Sequence, residues 1–228
     1  MNAVPNTRAE LARVIDHTLL KAETTRAQVE KLCDECLEYG FFAACVNPVW
    51  VPLCADRLAH GDTVVASVVG FPLGANTSDI KAYEALTALE NGAREVDLVV
   101  NLGALIAGDR TAVTRDIAAV VESVKRADPA ALVKVILETR ALTDEQIITG
   151  CRCAAEAQAD FVKTSTGFHP AGGATVEHVA LMRKHAAPLK VKASGGIRDL
   201  ATARAMLAAG ADRLGVSAGV AIVRELEG

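Results

Sequence analysis

TRAQVEKLCDECLEYGFFAACV, residues 25–46, holds the unit from which the rest of the chain is read. Thr25 followed three residues later by Gln28 is a capping-box signature, in which each side chain satisfies the other residue's backbone N–H at a helix start. Val29, Leu32, Cys33, Cys36 and Leu37 then share one stripe at helical spacing, Gly40 supplies the left-handed residue that stops a helix, and 41–46 is an apolar run of strand length. Helix, glycine, strand is half of a β/α repeat. The order returns at 78–90, Gly92 and 95–100, and again at 201–209, Gly210 and 213–216. Between them Val113, Ile117, Val120, Val121 and Val124 form another stripe ahead of Pro129 and a run at 132–137, while Thr143 and Gln146 open a further helix. Runs at 16–20, 63–69, 161–165 and 189–193 bring the total to about eight strands alternating with helices.

Such alternation asks for a parallel sheet, closed as a barrel or open and doubly wound. No Pro/Ser-rich linker or shift in composition divides the 228 residues. The expectation is therefore a single (β/α)8 TIM barrel over 1–228 with a short extra N-terminal helix, near the lower end of the length range for that fold. A chain that is 51% hydrophobic and 23% charged can bury a large core. Its 24 Lys+Arg against 28 Asp+Glu, a net charge of −4, leave no electrostatic footprint for nucleic acid, and Trp50 with few other aromatics makes no base-stacking platform. The polar stretch 1–10 carries no secretory signal, and the most apolar stretch, 63–75, is broken by Gly70, Pro72 and Gly74 and falls short of the ~20 residues of a membrane helix. A cytoplasmic enzyme with no membrane partner and reduced thiols is expected.

In a barrel the chemistry gathers at the C-terminal ends of the strands, and the polar residues there are unusual. Asp16 lies in the first run, Cys45 and Asn47 end the second, Asp97 and Asn101 belong to the fourth, Lys134 and Glu138 to the fifth, Lys163 to the sixth and Lys192 to the seventh. Side chains alternate across a strand, so if Val96, Leu98 and Val100 face the helices, Asp97 points inward. Lys163 and Lys192 follow the same rule beside Val162 and Val191. One Asp–Lys pair would be an ordinary structural ion pair; two lysines in one water-poor interior carry a cost that stability does not explain. Burial and a second ammonium lower a lysine's pKa and raise the share of free amine, the form that attacks a carbonyl to make a Schiff base. Ser194-Gly195-Gly196 after the seventh run and the glycines at 215 and 219 around the eighth occupy the place where barrels bind phosphate through backbone N–H groups.

The segments DHTLL (16–20), CVNP (45–48), VGFPLG (69–74), EVDLVVN (95–101), KVILET (134–139), FVKTSTGF (161–168) and VKASGGIR (191–198) closely resemble the deoxyribose-phosphate aldolase family, in order and from about Asp16 to the end. The resemblance implies a metal-free, cofactor-free class I aldolase that splits 2-deoxy-D-ribose 5-phosphate reversibly into acetaldehyde and D-glyceraldehyde 3-phosphate. By the same match Lys163 would form the Schiff base, Lys192 would depress its pKa and relay protons, and Asp97 would act as general acid/base at the carbinolamine and the C3 hydroxyl. Asp16 and Lys134 would support the polar network, Cys45 would line the pocket or simply pack, and Gly167, Gly195, Gly196 and Ser217 would bind the phosphate. A homo-oligomer is implied, a homodimer being the form the family suggests.

Two departures stand out. GVSAG at 215–219 offers fewer hydroxyl donors than the family's usual run, and the chain ends at Glu227-Gly228 with tyrosine only at Tyr39 and Tyr83, so no tail tyrosine is expected to assist proton transfer. Cys33 and Cys36 have CxxC spacing but sit on a helical apolar stripe, where packing outweighs zinc binding; Cys151 and Cys153 read likewise. His60, His178 and His185 suit helix surfaces or ends, and His17 and His169 the barrel mouth. The competing readings are a phosphosugar isomerase or synthase without a covalent lysine, and a catalytically silent binding barrel.

Overall fold

The computed structural model describes residues 4–226; residues 1–3 and 227–228, the two ends of the expected 1–228 span, lie outside them. Eight strands form a closed parallel barrel in sequence order: β1 Ile15–Leu19, β2 Ala43–Val46, β3 Val64–Val69, β4 Glu95–Val99, β5 Leu132–Ile136, β6 Phe161–Lys163, β7 Lys190–Ser194 and β8 Arg213–Val216. Closure is made by β1 against β8, with Ile15 opposite Leu214 and Asp16 opposite Gly215. The open doubly wound alternative is thereby excluded. Around the barrel run α1 Arg8–Ala12, α2 Arg26–Tyr39, α3 Val51–Leu58, α4 Ser78–Glu90, α5 Leu102–Ile106, α6 Arg110–Ala127, α7 Asp144–Glu156, α8 Val176–His185, α9 Leu200–Ala208 and α10 Gly219–Arg224. The extra N-terminal helix is α1, opened by a Thr7/Glu10 capping box. None of the described helices is long and apolar enough to cross a membrane.

Local chemistry explains the boundaries. The Thr25 N–H donates to Gln28 Oε1 at 2.8 Å and the Thr143 N–H to Gln146 Oε1 at 2.9 Å, starting α2 and α7. Gly40 ends α2 at φ +69°, its N–H returning to the Cys36 carbonyl. Outward strand residues such as Val96, Leu98, Val133, Val135, Val162, Val191 and Leu214 are buried against the helices in one continuous core. A second, smaller cluster of Leu20, Ala43, Cys45, Ala66 and Val68 lies apart from it. These residues alternate with the outward ones and fill the barrel interior on the β1–β3 side. On the opposite side Val99, Ile136 and Phe161 share the interior with a cluster of charged side chains.

Candidate active site

The charged cluster sits on the β4–β8 side of the interior. Register places Asp97 on β4 beside Lys134 on β5, and Lys163 on β6 beside Lys192 on β7. Three ammonium groups converge on one carboxylate: Lys134 Nζ donates to Asp97 Oδ1 at 2.8 Å, while Lys163 Nζ and Lys192 Nζ both donate to Asp97 Oδ2 at 2.7 Å. Lys192 is also 2.5 Å from Asp16 Oδ2, and Lys134 is 2.6 Å from Glu95 Oε2. Deeper still, the Arg213 guanidinium bridges Asp16 Oδ1 and Glu95 Oε2, each at 2.8 Å, and lies 3.4 Å over the Phe42 ring. All seven charged side chains are buried.

Three carboxylates, Asp16, Glu95 and Asp97, thus face four basic groups, Lys134, Lys163, Lys192 and Arg213. A buried excess of one positive charge is relieved most cheaply by one lysine losing its proton. Geometry selects which one. Lys134 and Lys192 each touch two carboxylates closely, whereas Lys163 touches Asp97 alone. Burial accordingly pushes Lys163 below the ordinary lysine range, and Lys192 adds to this against the pull of Asp97. Burial acts on Lys192 and Lys134 too, but their carboxylate partners outweigh it and hold both above that range. Burial opposes ionisation of Asp97 and Asp16 as well; the surrounding cations overcome it, leaving Asp97 well below the usual carboxylate range and Asp16 below it.

Lys163 is also the one member of this cluster that lines the cavity at the C-terminal mouth, about 350 Å³ in volume. The same cavity is lined by Gly167, Gly195, Gly196 and Ser217, from the segments after β6, β7 and β8. Gly167, Gly195 and Gly196 have φ near +85° (+83°, +86°, +83°), so their peptide groups take orientations closed to other residues. The segments also touch: a Cβ on Gly173 would lie 2.2 Å from the Gly195 carbonyl oxygen. Thr18, Lys21, Thr166, Ser194 and Arg198 complete the polar wall. An amine with reduced basicity that shares one cavity with a bank of backbone and cationic groups suits an open-chain carbonyl compound with an anionic terminus.

Not every residue named from the sequence is found in this wall. Cys45 is wholly buried in the small apolar cluster beside the lysines, off the cavity wall, and burial pushes its thiol pKa up. His17 faces outward, not into the mouth: strand alternation places it opposite Asp16, with Nε2 2.7 Å from Glu35 and its ring against Phe41. Asn47 donates to the Leu20 carbonyl and Asn101 caps α5, so both serve backbone. His169 lines a smaller cavity beside Phe168 and Glu138. Cys33, Cys36, Cys151 and Cys153 are free thiols buried between helices and barrel. Among the described residues no group of three or more His, Cys, Asp or Glu could hold a metal ion. Sequence reading passed over Arg213 and Glu95, although alternation against the outward Leu214 and Val96 points both inward.

Comparison with known proteins places this geometry. A deoxyribose-phosphate aldolase of Geobacillus sp. (strain WCH70) is 55% identical over 214 residues, covering 93% of this chain and 94% of that one. The tetrameric deoxyribose phosphate aldolase of Aeropyrum pernix superposes with a TM-score of 0.91 at 34% identity, over 98% of this chain and 94% of that chain. The aldolase QR15 does so with a TM-score of 0.88 at 40% identity, over 96% of each chain. The DeoC/LacD family aldolase model matches residues 11–225, and the chain belongs to that family of aldolases.

Proposed function

We propose that this protein cleaves 2-deoxy-D-ribose 5-phosphate reversibly into acetaldehyde and D-glyceraldehyde 3-phosphate through a Schiff base on Lys163, in deoxyribose phosphate catabolism. The observation that carries this reading is the singular position of Lys163, which has one carboxylate partner and the cluster's one opening onto the cavity. Its free amine attacks C1 of the open-chain sugar, and loss of water from the carbinolamine gives the iminium. The C3 hydroxyl then loses its proton and becomes the aldehyde of D-glyceraldehyde 3-phosphate as the C2–C3 bond breaks; that bond's electron pair forms the C1=C2 bond of an enamine while the iminium π pair moves onto nitrogen. Protonation at C2 and hydrolysis release acetaldehyde and restore the amine.

Asp97, held ionised, starts as the base of this sequence, and the protons delivered at the carbinolamine come from the Lys192 ammonium that shares its Oδ2. Lys134 and Asp16 keep that pair in place. Gly167, Gly195, Gly196 and Ser217 hold the 5-phosphate, with Lys21 and Arg198 supplying charge. No metal or organic cofactor takes part, so EDTA leaves activity intact. The protein works in the cytoplasm as one barrel and as a homo-oligomer, which sedimentation equilibrium measures directly.

Borohydride reduction in the presence of acetaldehyde, followed by peptide mass analysis, tests the mechanism. A stable adduct on Lys163 is expected. Turnover without any adduct there would point to acid/base isomerase or synthase chemistry, and neither adduct nor turnover to a silent binding barrel.

A further inference from the structure

Glu138 has no part in the chemistry above, yet the fold goes to some trouble to keep it. It sits just past β5 at φ +59°, a left-handed conformation in which any residue with a Cβ costs roughly 1–2 kcal/mol, and it is 3% exposed. Its Oε2 accepts the Thr166 N–H at 3.2 Å and, at shorter range, the Thr166 hydroxyl. The Thr166 Oγ1 in turn accepts the Phe168 N–H at 3.1 Å. On either side of Glu138 the Leu137 N–H reaches the Lys163 carbonyl and the Thr139 N–H the Thr164 carbonyl, each at 2.9 Å. Gly167, in the cavity wall, is therefore held from both flanks by one carboxylate oxygen acting through one threonine.

We infer that Glu138 is a positioning residue that fixes the segment 166–168 through Thr166 and so sets the affinity of the site for the phosphate end of its substrate. This rests on the reading of Gly167 as a phosphate donor. Lys163 is secured separately, by its ion pair with Asp97 and by strand pairing to β5 and β7, so the effect of Glu138 falls on binding and not on the amine. The Glu138 chain also walls the smaller cavity with Phe168 and His169, where its removal would leave the segment room to move.

The test reads inorganic phosphate affinity by calorimetry beside steady-state kinetics on 2-deoxyribose 5-phosphate and on unphosphorylated 2-deoxyribose. Glu138→Ala should weaken phosphate binding and raise KM for the phosphorylated sugar about tenfold, the scale of one hydrogen bond to a charged group, with kcat held within about threefold. Activity on unphosphorylated deoxyribose should change little. Glu138→Gln should restore binding, because an amide oxygen accepts the same two Thr166 donors. Thr166→Val should reproduce the loss and, combined with Glu138→Ala, add little to it; it also decides the matter if Glu138→Ala does not fold. Equal losses on both sugars with a collapsed kcat, or a lowered Tm with unchanged phosphate affinity, would overturn the inference. Calorimetry needs no turnover, so an inactive wild type would sink the aldolase reading while phosphate affinity still decides this one.

Discussion

Two lysines donate to the same oxygen of Asp97, and their difference lies in what else each one touches. Lys192 has Asp16 as a second anchor and keeps its proton; Lys163 has none and loses basicity to burial and to its neighbour's charge. Lys192→Leu removes that charge and leaves Asp97 freer to hold a proton on Lys163. The attacking amine is lost as pH falls through the Lys163 pKa, so raising that pKa moves the acidic limb of the kcat/KM profile to higher pH. Turnover at neutral pH should drop roughly 10²-fold or more, on the scale of general acid–base catalysis. An acidic limb that stays where it was would refute the coupling. The inward lysines are legible in the sequence because Val162 and Val191 fix the phase of their strands. Glu95 and Arg213 are less so: each is the first residue of its strand, where a charge reads as the solvated end. Closure of the barrel brings Arg213 onto Asp16 and Glu95 and shows it to be their counter-charge. His17 shows the same rule from the other side, since inward Asp16 commits it to the helices.

At the scale of elements, the helix stripes and the two capping boxes of α2 and α7 are written in residues a few positions apart, and the chain obeys them. What periodicity hides is the packing of α4 against α6. Lys81, wholly buried in α4, donates to Asp116 on α6 at 2.7 Å and to the Val99 carbonyl at the end of β4 at 3.0 Å, and Ser78 donates to the other Asp116 oxygen at 2.9 Å. A lysine in a helix reads as surface, and its partner lies 35 residues away. The pair also braces the mouth, for the Lys81 chain runs beneath Gly70, where a Cβ would meet its Cε at 3.1 Å. Lys81→Met should cost about 3–5 kcal/mol by stranding a buried carboxylate. For a domain of this size that lowers Tm by roughly 6–20 °C in thermal unfolding. Lys81→Met combined with Asp116→Leu should recover most of the loss; a double variant as unstable as the single one would show that the stranded charge is not the cause.

For the molecule as a whole, a net charge of −4 conceals an interior that carries four basic groups against three carboxylates. Composition cannot show this, because it averages a solvated surface with a sealed core. The arrangement ties stability to function through the sign of each shift. Asp97 and Asp16, lowered on folding, contribute stability that is complete above their unfolded values near pH 4 and is lost as pH falls through their folded ones. Lys134 and Lys192, raised on folding, contribute below about pH 10.4 and lose that contribution as pH rises beyond it. Lys163 runs the other way: being lowered, it subtracts stability at every pH below its unfolded value, in full once pH is beneath its folded value. Lys163→Met keeps the apolar stem, leaves Asp97 paired with Lys134 and Lys192, and balances the interior at three against three. The variant should therefore abolish the borohydride adduct and yet melt about 2–4 °C above the wild type near pH 7, a gain of about 1 kcal/mol. That gain should fade as pH rises through about 10.4, above which the wild-type lysine is neutral folded or unfolded. Thermal unfolding of the two proteins across this range measures it. A Lys163→Met protein that melts at or below the wild-type temperature at pH 7 would mean that the amine is not held against its charge, and the barrel's reason for gathering these lysines would have to be sought elsewhere.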